Sequence, residues 1–529
     1  WTSRSIERFT IHDNSGASSG QNNRAFLLLG LMVFLIYLLS SPWRFPLSSD
    51  GQAMLATSHS ILVEQTLAIA PSFASDDGYS PSAKIGIDGR AYSKYGLGLP
   101  LLELPFVGLG LLINKLTGLT STSSIGIAVS LLNPMITAIT AVLLGKLCQS
   151  LGSALSASVT VALGYSFGTL AWPYAVTDGA EALQSLCFVG SVLLLIWYRS
   201  QPKMIWIVGS GVILAYAILT KLANVIIIPA LLVYLFLIFR PAHRSPRELV
   251  FLLLQFLSPT AVCLLVLAIL NRLRFGSFGE SGYNSRMFST PWGRGLYGLL
   301  VSPNKGLIFY APLVLLALLG LWRMWHHRPA ETTAIFLLCL TVILFNARFF
   351  DWGGGWCWGP RYLVPIVPLM LVPLAARVTG WEKYIGAGFF IAGLVINSLG
   401  VLIDEFAYRQ TTMKMDLTVA LPTVLVGSVQ DKNALLEFPA ALEDVVPEFS
   451  SIAGHYWLGK VALSGCECSH QTNECRCQSG DFEEHPVFLS PPWIHRYPEA
   501  TPTPPYGIRI IRPWLAERLY EHFMPARQP

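Results

Sequence analysis

Charge is what this 529-residue sequence has least of. Asp, Glu, Lys and Arg together make up 13% of it, about half the roughly 25% of an average soluble chain, which excludes an ordinary soluble enzyme. Lys plus Arg at 36 against Asp plus Glu at 31 leaves a formal net charge of +5, too small and too dilute for a nucleic-acid binder. No GxxxxGK[S/T] phosphate loop occurs, so nucleotide-driven transport has no engine here. Fixed-period repeats and low-complexity tracts are missing as well. The chain opens on Trp1, not Met, so no signal peptide is read from it. What is present is apolar: 53% hydrophobic residues and a mean hydropathy of +0.52.

A helix that crosses a bilayer needs about 20 apolar residues. Eleven runs fit, centred on Ala25 to Ser40, Ile125 to Leu144, Ala154 to Trp172, Ala182 to Tyr198, Met204 to Leu219, Val225 to Phe239, Leu249 to Leu270, Leu307 to Leu321, Thr332 to Phe345, Tyr362 to Ala376 and Ile385 to Ile403. A further stretch, Gly96 to Asn114, carries Pro100, Glu103 and Pro105 and is flanked by Lys94 and Lys115. Lys and Arg in short loops favour the cytoplasmic side. If 96–114 does not cross, that side receives Arg4, Arg8, Arg24, Lys146, Arg199, Lys203, Arg240, Arg244, Arg247, Arg323, Arg328, Arg377 and Lys383. If it crosses, the clusters at 240–247 and 322–328 move outside. The stretch is therefore read as an amphipathic or re-entrant piece at the outer interface.

The expected fold is an all-α polytopic membrane protein of the plasma (inner) membrane. Residues 1–24 are expected to be cytoplasmic, 25–403 to form a bundle of about 11 transmembrane helices, and 404–529 to form a small extracytoplasmic domain. Outer loops are expected at 42–122, 271–305 and 348–361, with juxtamembrane helices among them.

Polar groups collect in these outer loops. Ser48-Ser49-Asp50-Gly51-Gln52 directly follows the first run. Asp50 can cap the next helix, or it can act as a general base with its pKa raised by partial dehydration. Lys94, ahead of the amphipathic stretch, stands at headgroup depth, where a lipid phosphate needs a cation; snorkelling is the plain alternative. In Asp351-Trp352-Gly353-Gly354-Gly355-Trp356-Cys357-Trp358-Gly359-Pro360-Arg361, the three Trp can form an aromatic belt. They can equally offer flat faces to a sugar, with Arg361 aimed from a helix start. A phosphate leaving group neutralised by Lys94, Lys221 or Arg361 would support in-line displacement. Lys305 is assigned to the rim.

An acid after the first run, an outer Lys before a Pro-containing juxtamembrane helix, and Thr220-Lys221 at another outer loop resemble the GT-C glycosyltransferases. The pattern is similar to the protein O-mannosyltransferase and lipid A aminoarabinose transferase branch. Asn271 to Ser277, Gly295 to Leu307 and Gly354 to Pro365 resemble uncharacterised bacterial members, and the likeness covers roughly 25–403. It implies transfer of a sugar from a polyprenyl-phosphate donor to an acceptor outside the cytoplasm, with inversion. It also implies Asp50 as the base and Lys94 as the lipid-phosphate ligand, joined by Arg361, with Asp178 and Glu181 near the acceptor. Tyr95, Lys221 and Asp351 complete the expected substrate-binding set. Two motifs depart from the family: the usual acidic pair is Asp50-Gly51, and the usual Lys-Pro-Pro is Lys94-Tyr95-Gly96. The competing function is a non-catalytic membrane subunit or carrier that retains the fold. No cofactor is required by the pattern, and a divalent metal is left open. Expected partners are the lipid-linked sugar, membrane lipids and a protein reached through the C-terminal domain, but no nucleic acid.

Nine Cys occur. Cys148, Cys187, Cys263, Cys339 and Cys357 lie in or beside apolar runs and are expected to pack as small apolar groups. Cys466, Cys468, Cys475 and Cys477 are mirror-symmetric, so one antiparallel hairpin register puts Cys466 opposite Cys477 and Cys468 opposite Cys475. Two disulfides suit an oxidising outer compartment. A four-Cys zinc site is the competitor, although its cysteines are more often two residues apart. His455 is read as a satisfied structural histidine.

Overall fold

A computed structural model describes residues 16–43, 48–69, 82–239, 245–280, 287–376, 380–403, 405, 450–456, 466–469 and 474–477. Helices follow the apolar runs and end at their breakers. First come α1 (Gly16–Ser40), α2 (Ser49–His59), the antiparallel strands β1 (Ala83–Ile85) and β2 (Ala91–Ser93), α3 (Gly98–Thr117) and α4 (Ser121–Val129). Next are α5 (Leu132–Ser150), α6 (Leu155–Gly168), α7 (Ala171–Ala175), α8 (Glu181–Ser200) and α9 (Met204–Thr220). A 3-10 turn (Leu222–Ile227) leads into α10 (Ile228–Phe239), which is followed by α11 (Pro246–Phe275), α12 (Trp292–Leu300), α13 (Leu307–Tyr310), α14 (Leu313–His327) and α15 (Pro329–Arg348). Two further 3-10 turns (Arg361–Ile366 and Val372–Ala375) flank α16 (Val367–Leu371), and α17 (Glu382–Leu402) closes the bundle. The longest helix, α11, shows how local signals agree. Ser245 caps it by accepting from Glu248 N, Pro246 sits in its first turn, and Gly276 at φ 78° terminates it.

Contacts between helix ends sort the bundle into two poles. At one pole Trp197 Nε1 donates to Ser150 Oγ at 3.0 Å, Arg199 pairs with Glu331, Arg323 Nη1 donates to Glu382 Oε2 at 2.8 Å, and Ser153 Oγ donates to Ala375 O at 3.0 Å. At the other, Asn133 Nδ2 donates to Thr177 O at 2.6 Å, Trp172 Nε1 to Ser40 Oγ at 2.9 Å, and Tyr216 OH to Gly98 O at 2.7 Å. Among the described residues, the segments that run between these poles are α1, α5, α6 with α7, α8, α9, 222–239, α11, α13 with α14, α15, 361–375 and α17. Lys146, Arg199, Lys203, Arg247, Arg323, Arg328 and Lys383 all gather at the first pole, whereas Arg4, Arg8, Arg240, Arg244 and Arg377 lie outside the described residues. The second pole carries the site.

Among the described residues, eight helices are long and apolar enough to cross a membrane by length and composition, and α3 is among them. Its neighbours nevertheless hold both ends of the α3–α4 hairpin at the site pole. Gly98 meets Tyr216 there, α4 runs into α5 at the level of Asn133, and Gly110 of α3 packs on Ile125 of α4. With nine residues, α4 rises only about 14 Å, too little to bring a crossing α3 back. Along α11, Phe251, Leu254, Val262, Leu265 and Ile269 are exposed. An apolar face of this extent, on a helix polar at its termini, is the surface that hydrocarbon covers. The chain is thus a multi-pass membrane protein with a helical bundle as its body.

Candidate active site

The site begins where α1 ends. Ser48 caps α2, its Oγ accepting from Gly51 N at 3.0 Å. The same hydroxyl donates to Asp178 Oδ1 at 2.9 Å, while Ser48 N donates to Asp178 Oδ2 at 3.1 Å. Asp178 therefore lies directly over Gly51, where a Cβ would come within 2.5 Å of its Oδ2. This accounts for the first departure from the family pattern, because the space beside the second position of the acidic pair is filled by a carboxylate from the α7–α8 loop. Burial raises the Asp178 pKa against the Ser48 hydrogen bonds.

Asp50, in the first turn of α2, is tied to three other segments. Arg361 Nη1 stands 2.7 Å from Asp50 Oδ2, and Tyr95 OH donates to Asp50 Oδ1 at 2.5 Å. Ser82 Oγ donates to the same Oδ1 at 3.2 Å. Arg361 also places its Nε 2.6 Å from Glu181 Oε1. Burial alone would raise the Asp50 pKa, but the Arg361 guanidinium, with the Tyr95 and Ser82 hydrogen bonds, outweighs it and holds the carboxyl below its usual range. The expectation of a raised pKa at Asp50 is therefore corrected; the partner that reverses it comes from the far end of the sequence.

Lys221, half-buried just after the end of α9, has its Nζ 4.3 Å from the centroid of the Tyr362 ring. Burial pulls its pKa down to about 8, against the upward pull of Glu181, Asp50 and Asp351. The segment after β2 that brings Tyr95 to Asp50 runs on through Gly96, whose missing side chain lets the backbone rest against Leu219 O. A proline ring there would collide with that carbonyl, which accounts for the second departure. Lys94 stands just before Tyr95, half-buried, with its N–H on Ser82 O at 3.0 Å. Its neighbour Tyr95 reaches the Arg361 cluster through Asp50.

Lys305 is not a rim residue. At 4% exposure it is buried, and its Nζ donates to Gly355 O at 3.3 Å and to Cys357 O. It pins the glycine-rich loop from beneath. Asp351 holds the same loop from within, accepting from Gly355 N at 3.2 Å; burial raises its pKa against that bond and the nearby Lys305 charge. The three Trp of the loop divide: Trp352 and Trp358 are buried and Trp356 is exposed. His455 lies fully buried, its Nδ1 2.8 Å from Ser451 O, its Nε2 3.4 Å from Glu405 Oε2 and its ring 4.6 Å from that of Trp358. Through Ser451, whose Oγ donates to Asn304 Oδ1 at 3.1 Å and to Glu405 Oε1 at 2.8 Å, the helical segment 450–456 is fastened to the site pole.

A cavity opens beside the cluster, between Leu99 and Glu103 of α3, Leu132 and Asn133 of α5, the 173–181 loop and Trp356 to Arg361. Glu103 is buried in its wall, accepting from Ser58 Oγ at 2.5 Å, and burial raises its pKa to about 7. Asp50, Tyr95, Asp178 with Glu181, Lys221 and Arg361 thus come together from five separate stretches of sequence. Sequence reasoning quoted Ser48 without giving it a role, missed Ser82 and Asn133, and weighed Glu103 only as an interruption of an apolar run. Among the described residues, no group of three or more His, Cys, Asp or Glu side chains could hold a metal ion. Cys148, Cys187, Cys263, Cys339 and Cys357 are free thiols. Strands β3 (Cys466–Ser469) and β4 (Glu474–Cys477) pair antiparallel in the expected register, Cys466 opposite Cys477 and Cys468 opposite Cys475. Most of the 404–529 segment lies outside the described residues.

A scan of protein-family models and a search of curated proteins give no match. Among solved structures the chain is similar to ArnT from Cupriavidus metallidurans in the apo state, with 12% identity, a TM-score of 0.44, and coverage of 85% of this chain and 72% of that one. The same ArnT bound to undecaprenyl phosphate gives 13% identity, a TM-score of 0.43 and the same coverage. The archaeal oligosaccharyltransferase AglB from Archaeoglobus fulgidus, in complex with an inhibitory peptide and a dolichol-phosphate, gives 11% identity, a TM-score of 0.41, and coverage of 77% of this chain and 59% of that one.

Proposed function

We propose that this chain transfers a sugar from a polyprenyl-phosphate donor to an acceptor on the outer side of the membrane, with inversion. The observation that carries the reading is the triad of Asp50, Arg361 and Glu181, joined at 2.7 and 2.6 Å at one pole of a membrane bundle. There, a lipid phosphate at headgroup depth and a water-soluble acceptor can both reach it. The basic clusters at the opposite pole would be cytoplasmic under the positive-inside rule, leaving the site outside. Cys466, Cys468, Cys475 and Cys477 would then sit in the compartment that permits their two disulfides.

Chemically, the acceptor oxygen bonds to the anomeric carbon while the carbon–oxygen bond to phosphate breaks. The electron pair leaves on the phosphate, and the acceptor proton passes to Asp50. Lys221 and Arg361 supply positive charge where the leaving group develops its negative charge, and Lys94 flanks them. The arrangement also couples binding to basicity. A donor phosphate competes with Asp50 for Arg361, and as it draws the guanidinium away, the carboxylate loses the partner that held its pKa down. Asp178 and Glu181 border the acceptor side, and Tyr95 keeps Asp50 in position. Asp351 supports the loop that carries Arg361.

The test is reconstitution of the full chain with undecaprenyl phosphate carrying a radiolabelled hexose or pentose. Release of bare undecaprenyl phosphate, with label passing to an acceptor, is expected. Donor that binds but is never discharged with any acceptor would instead favour the non-catalytic reading.

A further inference from the structure

Three polar atoms on residues lining the cavity have no hydrogen-bond partner among the described residues: Asn133 Oδ1, Glu181 Oε2 and Trp358 Nε1. Their residues are 6%, 3% and 4% exposed. An unsatisfied buried group costs about 1–3 kcal/mol, and native interiors keep few of them. Each of these atoms is also fixed by its own residue's remaining contacts. Asn133 Nδ2 donates to Thr177 O at 2.6 Å and Gly179 O at 2.9 Å, which sets the amide orientation and leaves Oδ1 over. Glu181 commits Oε1 to Arg361 and leaves Oε2. The Trp358 indole is held edge-on to Tyr310 at 5.2 Å and against His455 at 4.6 Å, so its N–H cannot swing elsewhere.

We propose that Asn133, Glu181 and Trp358 form a hydroxyl-reading subsite that holds a sugar ring beside the Arg361 cluster. Two ring hydroxyls donate to Asn133 Oδ1 and Glu181 Oε2, and a ring or hydroxyl oxygen accepts from Trp358 Nε1. An isoprenoid tail offers none of these groups. A phosphate offers acceptors where the protein already presents two, one of them a carboxylate. A polyhydroxylated ring matches both signs, and the indole and Leu132 give it an apolar wall. The subsite rests on the transferase reading and deepens it by assigning specificity to Asn133 and Trp358, outside the charge cluster, and to the Glu181 oxygen that Arg361 leaves unused. A site built to bond a hydroxyl rejects analogues lacking it far better than an apolar slot does. The ring belongs either to the donor or to an acceptor glycan.

The experiment compares wild type with Trp358→Phe, which keeps an aromatic ring and removes the N–H. Full-length protein in nanodiscs is titrated with undecaprenyl phosphate, with undecaprenyl phosphate carrying a hexose or a pentose, and with a free oligosaccharide. The expected result is a loss of about fivefold or more for a sugar-bearing ligand and an unchanged affinity for bare undecaprenyl phosphate. Loss confined to the glycosylated carrier assigns the subsite to the donor sugar; loss confined to the oligosaccharide assigns it to the acceptor. An equal loss on the bare carrier, or no loss on any sugar-bearing ligand, overturns the subsite. If no carrier binds wild type while the oligosaccharide does so in a Trp358-dependent way, the subsite stands and the transferase reading falls. A structure of wild type with the sugar-bearing ligand decides the matter without a variant. A hydroxyl oxygen within hydrogen-bond distance of Trp358 Nε1 and another on Asn133 Oδ1 support the subsite, whereas an indole N–H that stays unpaired overturns it.

Discussion

Arg361 Nη1 stands 2.7 Å from Asp50 Oδ2, so the cation and the base of the proposed reaction are each other's partner before any substrate arrives. A partly buried pair of this kind is costly to break from one side, because the remaining carboxylates keep their desolvation penalty. Arg361→Ala strands both Asp50 and Glu181. It should lower stability by about 3–5 kcal/mol, measured by denaturation in detergent, and Asp50→Asn in the same background should restore part of the loss. No loss of stability in Arg361→Ala would contradict the pairing.

Lys305→Ala should be destabilising as well, and not neutral as a rim position would be. Its ammonium holds two carbonyls of the glycine-rich loop, and hydrogen bonds to a charged group contribute roughly 1.5–3 kcal/mol. The check is a melting temperature for Lys305→Ala beside one for Lys94→Ala. Equal, near-zero shifts would remove Lys305 from the loop's support.

Glu103 links pH to stability with a definite sign. Its folded pKa of about 7 lies above the ordinary value of 4.5, so the folded state binds the proton more tightly than the unfolded chain. This group's contribution is complete below about 4.5 and is lost as pH rises through about 7. Denaturation curves at several pH values should show wild type losing stability across that window, with a flatter profile for Glu103→Gln. Parallel profiles would mean that Glu103 does not titrate there.

Lys221 should make donor binding pH-dependent from the other side. Its pKa of about 8 means that the ammonium is lost as pH rises through that value, and a phosphate then loses a charge-assisted bond. Donor affinity should fall above about pH 8, and Lys221→Arg should flatten the fall. For stability the sign is opposite. Above about 8 the folded state has released a proton that the unfolded Lys still holds, so this group's stability term rises with pH.

Sequence reading reached the bundle and the charged part of the site because both have one-dimensional signals. Asp50 and Arg361 stand at the ends of apolar runs, where a lone charge is conspicuous, and the basic loops separate the two poles. Asn133 stands inside an apolar run and carries no such signal; only its contact with the 177–179 backbone reveals it. The pKa of Asp50 went the wrong way because burial can be guessed from position, whereas Arg361 as its partner cannot. Lys305 was misplaced because a loop position does not say whether the loop folds over it. The glycines of both divergent motifs became intelligible only when Asp178 was found over Gly51 and Leu219 O against Gly96.

Topology can be tested apart from chemistry. Single cysteines replacing Lys146 and Arg328 lie at the pole opposite the site and should resist a membrane-impermeant thiol reagent in intact cells, while one replacing Gly89 should react. Outer labelling at Lys146 or Arg328 would invert the orientation assigned here.

The central claim is that Asp50 takes the acceptor's proton, and the measurement that tests it most directly is Asp50→Asn assayed for donor binding and for sugar transfer in the same reconstituted sample. Asparagine keeps the size of the side chain and an oxygen for Tyr95, but it cannot accept the proton. The account predicts donor affinity within a few-fold of wild type and transfer lowered by about 10² or more. Transfer near the wild-type rate in Asp50→Asn, with donor bound, would contradict it.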